Sequence, residues 1–162
     1  MSDPILRDHL LELLRGGSAH LGLDEAIEGL PADLRGTKHQ ELPHTAWQLL
    51  EHLRIAQWDI LDFSRNPDYA HIKWPDDYWP QTAAPLDDAA WDRSIEQFRQ
   101  DLKAMQDLVA DPQTDLYAKI PWGDGQTILR EALLVADHNA YHVGQIVSLR
   151  QALGAWQPPA LP

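Results

Sequence analysis

Apolar positions in this chain recur at alternating spacings of four and three, with polar residues filling the gaps. Trp91, Ile95, Phe98, Leu102, Met105 and Val109 form one such stripe, the signature of a helix with one face on a core. Asp92, Glu96, Arg99, Gln100, Lys103 and Gln106 occupy the other faces, so residues 87–110 predict an amphipathic helix. Residues 127–153 hold no Pro and a single internal Gly, Gly144. Ile128, Leu129, Ala132, Leu133, Ala136, Ala140, Val143 and Val147 give that segment a broad apolar face. Thr127 stands where an N-cap belongs and Gly154 where a C-terminal cap glycine belongs. A helix over 45–64 opens on Thr45-Ala46-Trp47-Gln48, a capping-box pattern, with Pro43 blocking upstream extension. Leu6, Leu10, Leu13 and Leu14 mark a first helix that starts at Pro4. It is expected to span 4–30 with a break at 16–17, where Gly16 and Gly17 fall.

No strand alternation or hairpin signal competes with these helices, so the fold class is all-α, a four-helix bundle. Residues 65–86 are too many for a tight turn and are rich in Pro, Trp and Tyr. A helix of about 20 residues is about 30 Å long, while a connection of about 22 residues can reach roughly 70 Å. The connection can therefore return to the starting end and allow a parallel crossover. Its aromatic residues are expected to pin it to the edge of the bundle.

The length of 162 residues fits a single domain over 1–162 with a sizeable core. A formal net charge of −12, negative even with all eight His protonated, disfavours nucleic acid and anionic membranes as partners. The absence of Cys excludes a disulfide framework, a CxxC zinc or redox site and a thiol nucleophile. The opening stretch is charged and amphipathic, and no run of 18 apolar residues occurs, so a cytoplasmic location is expected.

The candidate chemistry lies in His138-Asn139-Ala140-Tyr141-His142. Residues four apart project from one helix face and can place two imidazoles on one metal ion. Leu134, Val135, Ile146 and Leu149 surround that face, so both rings point toward the bundle. Either hydrogen bonds satisfy them there or a metal does, because an unpaired buried imidazole carries a desolvation cost. His52, on the 45–64 helix beside Leu49, Ile55 and Ala56, is available as a third ring. Three neutral imidazoles suit Zn, Ni, Fe or Cu and leave coordination positions open. Glu51 and Asp137 each precede a His and point about 100° away from it, so neither is expected as a ligand. Gln145 is placed to hydrogen-bond a ligand or an imidazole. Trp47 and Trp122 are expected to pack in the core, with the roof of a pocket as the alternative, and Gly144 marks either a close helix approach or a local kink. His9, His20, His39, His44 and His71 lack paired spacing and receive no metal role.

The segments PHTAWQLLEHLR (43–54), WGDGQTILREALLVA (122–136) and DHNAYHVGQ (137–145), in this order, closely resemble the DinB-like (DinB/YfiT) superfamily. The resemblance covers essentially the whole chain from the first helix to Gly154. It implies a four-helix bundle in up-down-down-up order and a divalent metal site on His52, His138 and His142, with Zn or Ni favoured over Fe or Mn. It also implies a metal-dependent enzyme, such as a thiol-dependent S-transferase or hydrolase using a low-molecular-weight thiol, and a possible homodimer. The competing expectation is a non-catalytic metal- or ligand-binding stress-response protein.

Overall fold

A computed structural model describes residues 3–158. Among them are five α-helices: α1 (Pro4–Arg15), α2 (Leu23–Ile27), α3 (Ala46–Arg65), α4 (Asp88–Ala110) and α5 (Ile128–Ala152). Ala32–Leu34 and Asp76–Tyr78 form single 3-10 turns, and no strand occurs among the described residues beyond an isolated bridge between Lys119 and Thr127. Among the described residues no helix is long and apolar enough to cross a membrane.

The helix ends follow the capping chemistry in the sequence. Asp3 accepts from the Leu6 amide (3.0 Å), and Thr127 Oγ1 accepts from the Arg130 amide (3.2 Å). Thr45 and Gln48 form the reciprocal capping box at the head of α3. The first helix departs from expectation. Its break covers residues 16–22 and not 16–17 alone, and the continuation ends at Ile27 and not at residue 30. The cause is local: Gly16 (φ 69°) and Gly17 (φ 81°) are both left-handed, so the chain leaves the helical path for more than one residue.

The α1, α3, α4 and α5 helices form the bundle, with α4 and α5 each packed against both α1 and α3. One apolar cluster gathers Leu50, Leu53, Phe98 and Ile146; a second gathers Leu10, Leu61, Met105 and Val135. Of the stripe on α4, Leu102 alone is half-buried, and it packs against both clusters. Leu102→Ala is expected to cost about 2 kcal/mol, the low end of the range for a core leucine. Urea unfolding reads this directly, and a loss below about 0.5 kcal/mol would show that the stripe is rotated toward solvent.

The crossover between α3 and α4 is tied down along its length. Tyr69 and Tyr78 donate their hydroxyls to the two oxygens of the buried Asp59 carboxylate (2.9 and 2.6 Å). Burial and that carboxylate push both phenols above their usual range, so they remain donors. Thr45 Oγ1 donates to the Ala83 carbonyl (2.6 Å) and Trp47 Nε1 to Thr82 Oγ1 (3.1 Å). Anchored at these points, the crossover delivers Tyr78 and Trp79 to one place on α3: the surroundings of His52.

Candidate metal centre

His52 sits one turn beyond Gln48 on α3, between the fully buried Leu50 and Leu53, and is itself 2% exposed. His138 and His142 lie one turn apart on α5, and His142 is 7% exposed. The packing of α3 on α5 brings the three rings together, with centroid separations of 4.9 Å (His52–His138), 4.6 Å (His52–His142) and 4.5 Å (His138–His142). One ring nitrogen from each lies within 4.8 Å of the others. Nε2 of His52 and Nε2 of His138 are 3.1 Å apart. Two imidazole nitrogens on one zinc, each at about 2.0–2.1 Å and near tetrahedral angles, would lie about 3.3 Å apart.

Outer hydrogen bonds determine which nitrogen faces inward. The Tyr78 carbonyl can only accept, so His52 donates its Nδ1 proton to it (2.8 Å) and keeps a lone pair on Nε2. His142 donates Nδ1–H to Gln145 Oε1 (2.7 Å) and likewise keeps Nε2 free. Hydrogen bonds of this type orient metal-binding histidines and raise their basicity. The donor set therefore fits a transition metal held by nitrogen. No carboxylate joins the set: Glu51 is paired with Arg54 (2.8 Å) and Asp137 is exposed.

The rings are also in the protonation state that a cation needs. Burial, reinforced by His142 and His44 and opposed by the bond to Tyr78, lowers His52 to about 4. Burial and the neighbouring His142 and His52 lower His138 to about 3. Burial lowers His142 as well, against the opposing bond to Gln145. All three rings are neutral near pH 7, so the cluster carries no positive charge that would repel a cation.

Trp79, from the crossover, covers the site. Its ring stacks on His52 at 3.8 Å and on His44 at 4.0 Å, so the indole is held between two imidazoles. Trp74 (67% exposed) lies 6.5 Å from His52, and Tyr141 (65% exposed) lies 4.9 Å from His142, placing two aromatic rings at the solvent edge. A cavity of about 190 Å³ adjoins through Gln145 and His44, with Leu42, Pro43, Leu49 and Leu149 on its walls.

Several alternatives are decided here. Trp47 is buried against Thr82, and Trp122 donates to the Phe63 carbonyl (2.7 Å), so neither roofs the centre; Trp79 does. A Cβ on Gly144 would meet nothing within 4 Å, so that glycine supports no close helix approach. His44 brings its ring to the edge of the site, a position that helical spacing could not reveal because it precedes α3. Asn139, between the paired histidines, donates Nδ2 to Gln57 Oε1 (2.8 Å), and Gln57 Nε2 in turn donates to the Phe98 carbonyl (2.7 Å), a link that spacing alone does not signal.

A family model described as the DinB superfamily matches residues 22–146. No curated protein and no solved structure matches the chain.

Proposed function

The chain belongs to the DinB superfamily, and from that membership we propose that His52, His138 and His142 hold one divalent transition-metal ion in an enzyme that acts on a small molecule by transfer or hydrolysis. The observation that carries this reading is the shared inward side of three imidazoles, two of which have their outer N–H groups engaged by Tyr78 and Gln145. Zinc or nickel suits an all-imidazole set better than iron or manganese, which more often have carboxylate ligands. When bound, such an ion supplies a Lewis acid that lowers the pKa of a water or thiol.

The chain's own residues do the positioning. Asp59 holds the Tyr78 side chain, which fixes the backbone carbonyl that orients His52. Trp79 keeps water from one face of the His52 ring. Three neutral ligands add no negative charge, so a divalent ion there keeps its polarising power. The adjoining cavity is large enough for a small apolar group next to Gln145. A low-molecular-weight thiol is our proposed co-substrate, with S-transfer as the reaction to test first.

The test is elemental analysis of protein purified without chelator, followed by a screen of small thiols with electrophiles. The expected result is one zinc or nickel per chain and metal-dependent turnover. Absence of metal, with no uptake of supplied zinc or nickel, overturns the site. Stoichiometric metal without turnover of any thiol or hydrolysable substrate favours the non-catalytic binding protein.

A further inference from the structure

We propose that the cavity beside Gln145 seats the apolar end of the substrate, an uncharged group the size of a phenyl ring, and so places the reacting end at the three-histidine cluster. The inference rests on the enzyme reading above and names its substrate class. Two cavity walls carry the link to the cluster. Gln145 lines the cavity and holds His142 through a hydrogen bond of 2.7 Å. His44, just ahead of α3, lines it too and stacks on Trp79 (4.0 Å), whose ring stacks in turn on His52 (3.8 Å). An occupant thus abuts side chains that connect directly to His142 and, through one indole, to His52.

The volume of about 190 Å³ sets the size of the group. An apolar cavity of about 150 Å³ takes up benzene, whereas a complete drug-sized ligand fills roughly 300–1,000 Å³. One ring fits, and the remainder of a larger substrate stays outside, where Gln145 and His44 lead to the cluster. The lining sets the chemistry. Leu42, Pro43, Leu49 and Leu149 supply apolar walls, and no Lys, Arg, Asp or Glu lines the cavity. Burial and the charge of Lys38 hold His44 below the usual imidazole range, so that wall is neutral near pH 7 as well. Ser148 already donates its hydroxyl to the Gly144 carbonyl (3.0 Å), and Gln145 Oε1 is engaged by His142. Water therefore finds few partners here and a charged group finds none, while an apolar ring loses nothing by entering. Leu49 and Leu149 belong to the main core cluster at 2% and 1% exposure, and Leu42 packs against it. The seat is preformed, so filling it requires little ordering of the chain.

Benzyl alcohol, one ring on a short polar arm, is the probe, and methyl NMR of the full chain reads where it sits. Intermolecular NOEs are expected to the methyls of Leu42, Leu49 and Leu149, in chelator-treated and in zinc-loaded protein alike, because no wall of the cavity depends on the ion. Ser148→Phe, from an exposed position on α5, fills the cavity and is expected to weaken benzyl alcohol by about 10–100-fold, the value of one buried ring, while zinc affinity stays at wild type. Leu42→Trp fills it from the segment before α3 and serves if the first variant fails to fold. In zinc-loaded protein, benzyl alcohol is expected to raise KM for the turnover found in the thiol screen and to leave kcat unchanged. NOEs confined to exposed leucines such as Leu86, or a folded filling variant that binds the probe as wild type does, overturn the pocket and leave the metal centre standing. Turnover with KM unaltered by a seated probe overturns its role in selecting substrate. A seated probe in protein that takes up no zinc overturns the enzyme reading, and the substrate role with it, but not the pocket.

Discussion

His142→Ala is expected to weaken zinc binding by about 10²–10³-fold while leaving the bundle folded. The magnitude follows from dividing an apparent zinc-binding free energy of about 10–16 kcal/mol over roughly four ligands, or about 2.5–4 kcal/mol for each. His142 is the cleanest of the three positions to remove. His52 also carries the Tyr78 hydrogen bond and the Trp79 stack, so its loss would release the crossover as well as a ligand. His138 Nε2 lies 3.1 Å from His52 Nε2, so its removal would disturb a second ring of the cluster. The outer partner of His142 is Gln145, three residues on along the same helix and only half-buried, so deleting the ring strands no distant group. Competition with a chromophoric chelator measures the affinity and circular dichroism reports the helices. Wild-type affinity in this variant would remove His142 from the ligand set, and lost helicity would assign it a structural role instead.

The three-histidine cluster was legible in the sequence because helices turn spacing into direction. The i,i+4 pair on α5 and the apolar neighbours of His52 on α3 put three rings on inward faces before any tertiary contact was known. The helix starts were legible for a similar reason, since Thr45, Gln48 and Thr127 act within one turn of the amides they cap. What surrounds the rings was not legible. Trp79 and the Tyr78 carbonyl reach His52 from a crossover without periodicity, and their placement depends on Asp59 gripping two tyrosine hydroxyls. Composition marked the segment as aromatic and anchored but could not say which indole would lie on which ring. The amide chain from Asn139 through Gln57 to Phe98 was further out of reach. Its polarity is set by one backbone carbonyl on α4, and no residue type or spacing encodes the register that brings Phe98 opposite Gln57.

The rings that suit the site to a cation should also make the metal-free protein sensitive to acid. His52 is held at about 4 and His138 at about 3 in the fold, against about 6.5 in an unfolded chain. Between those limits the unfolded chain binds more protons than the folded one, so stability falls as pH falls. The contribution is fully present above about 6.5 and is lost progressively as pH drops toward the folded values. From pH 7 to pH 5, each of these two rings is expected to remove about 2 kcal/mol. Two buried carboxyl groups act in the opposite sense. Burial raises both Asp101 and Glu131, so the fold favours their protonated forms and gains stability as they take up protons. Urea unfolding of chelator-treated protein at the two pH values gives the net loss, and His138→Leu isolates one ring's share by reducing that loss by about 2 kcal/mol. Saturating zinc should make the decline steeper at the acid end, because protons and the ion compete for the same lone pairs and the stabilisation from binding disappears with them. A metal-free stability that is level from pH 7 to 5 in both wild type and His138→Leu would mean that these rings are solvated and titrate as free imidazoles. The buried, neutral and inward-facing donor set on which the metal centre depends would then not exist in solution.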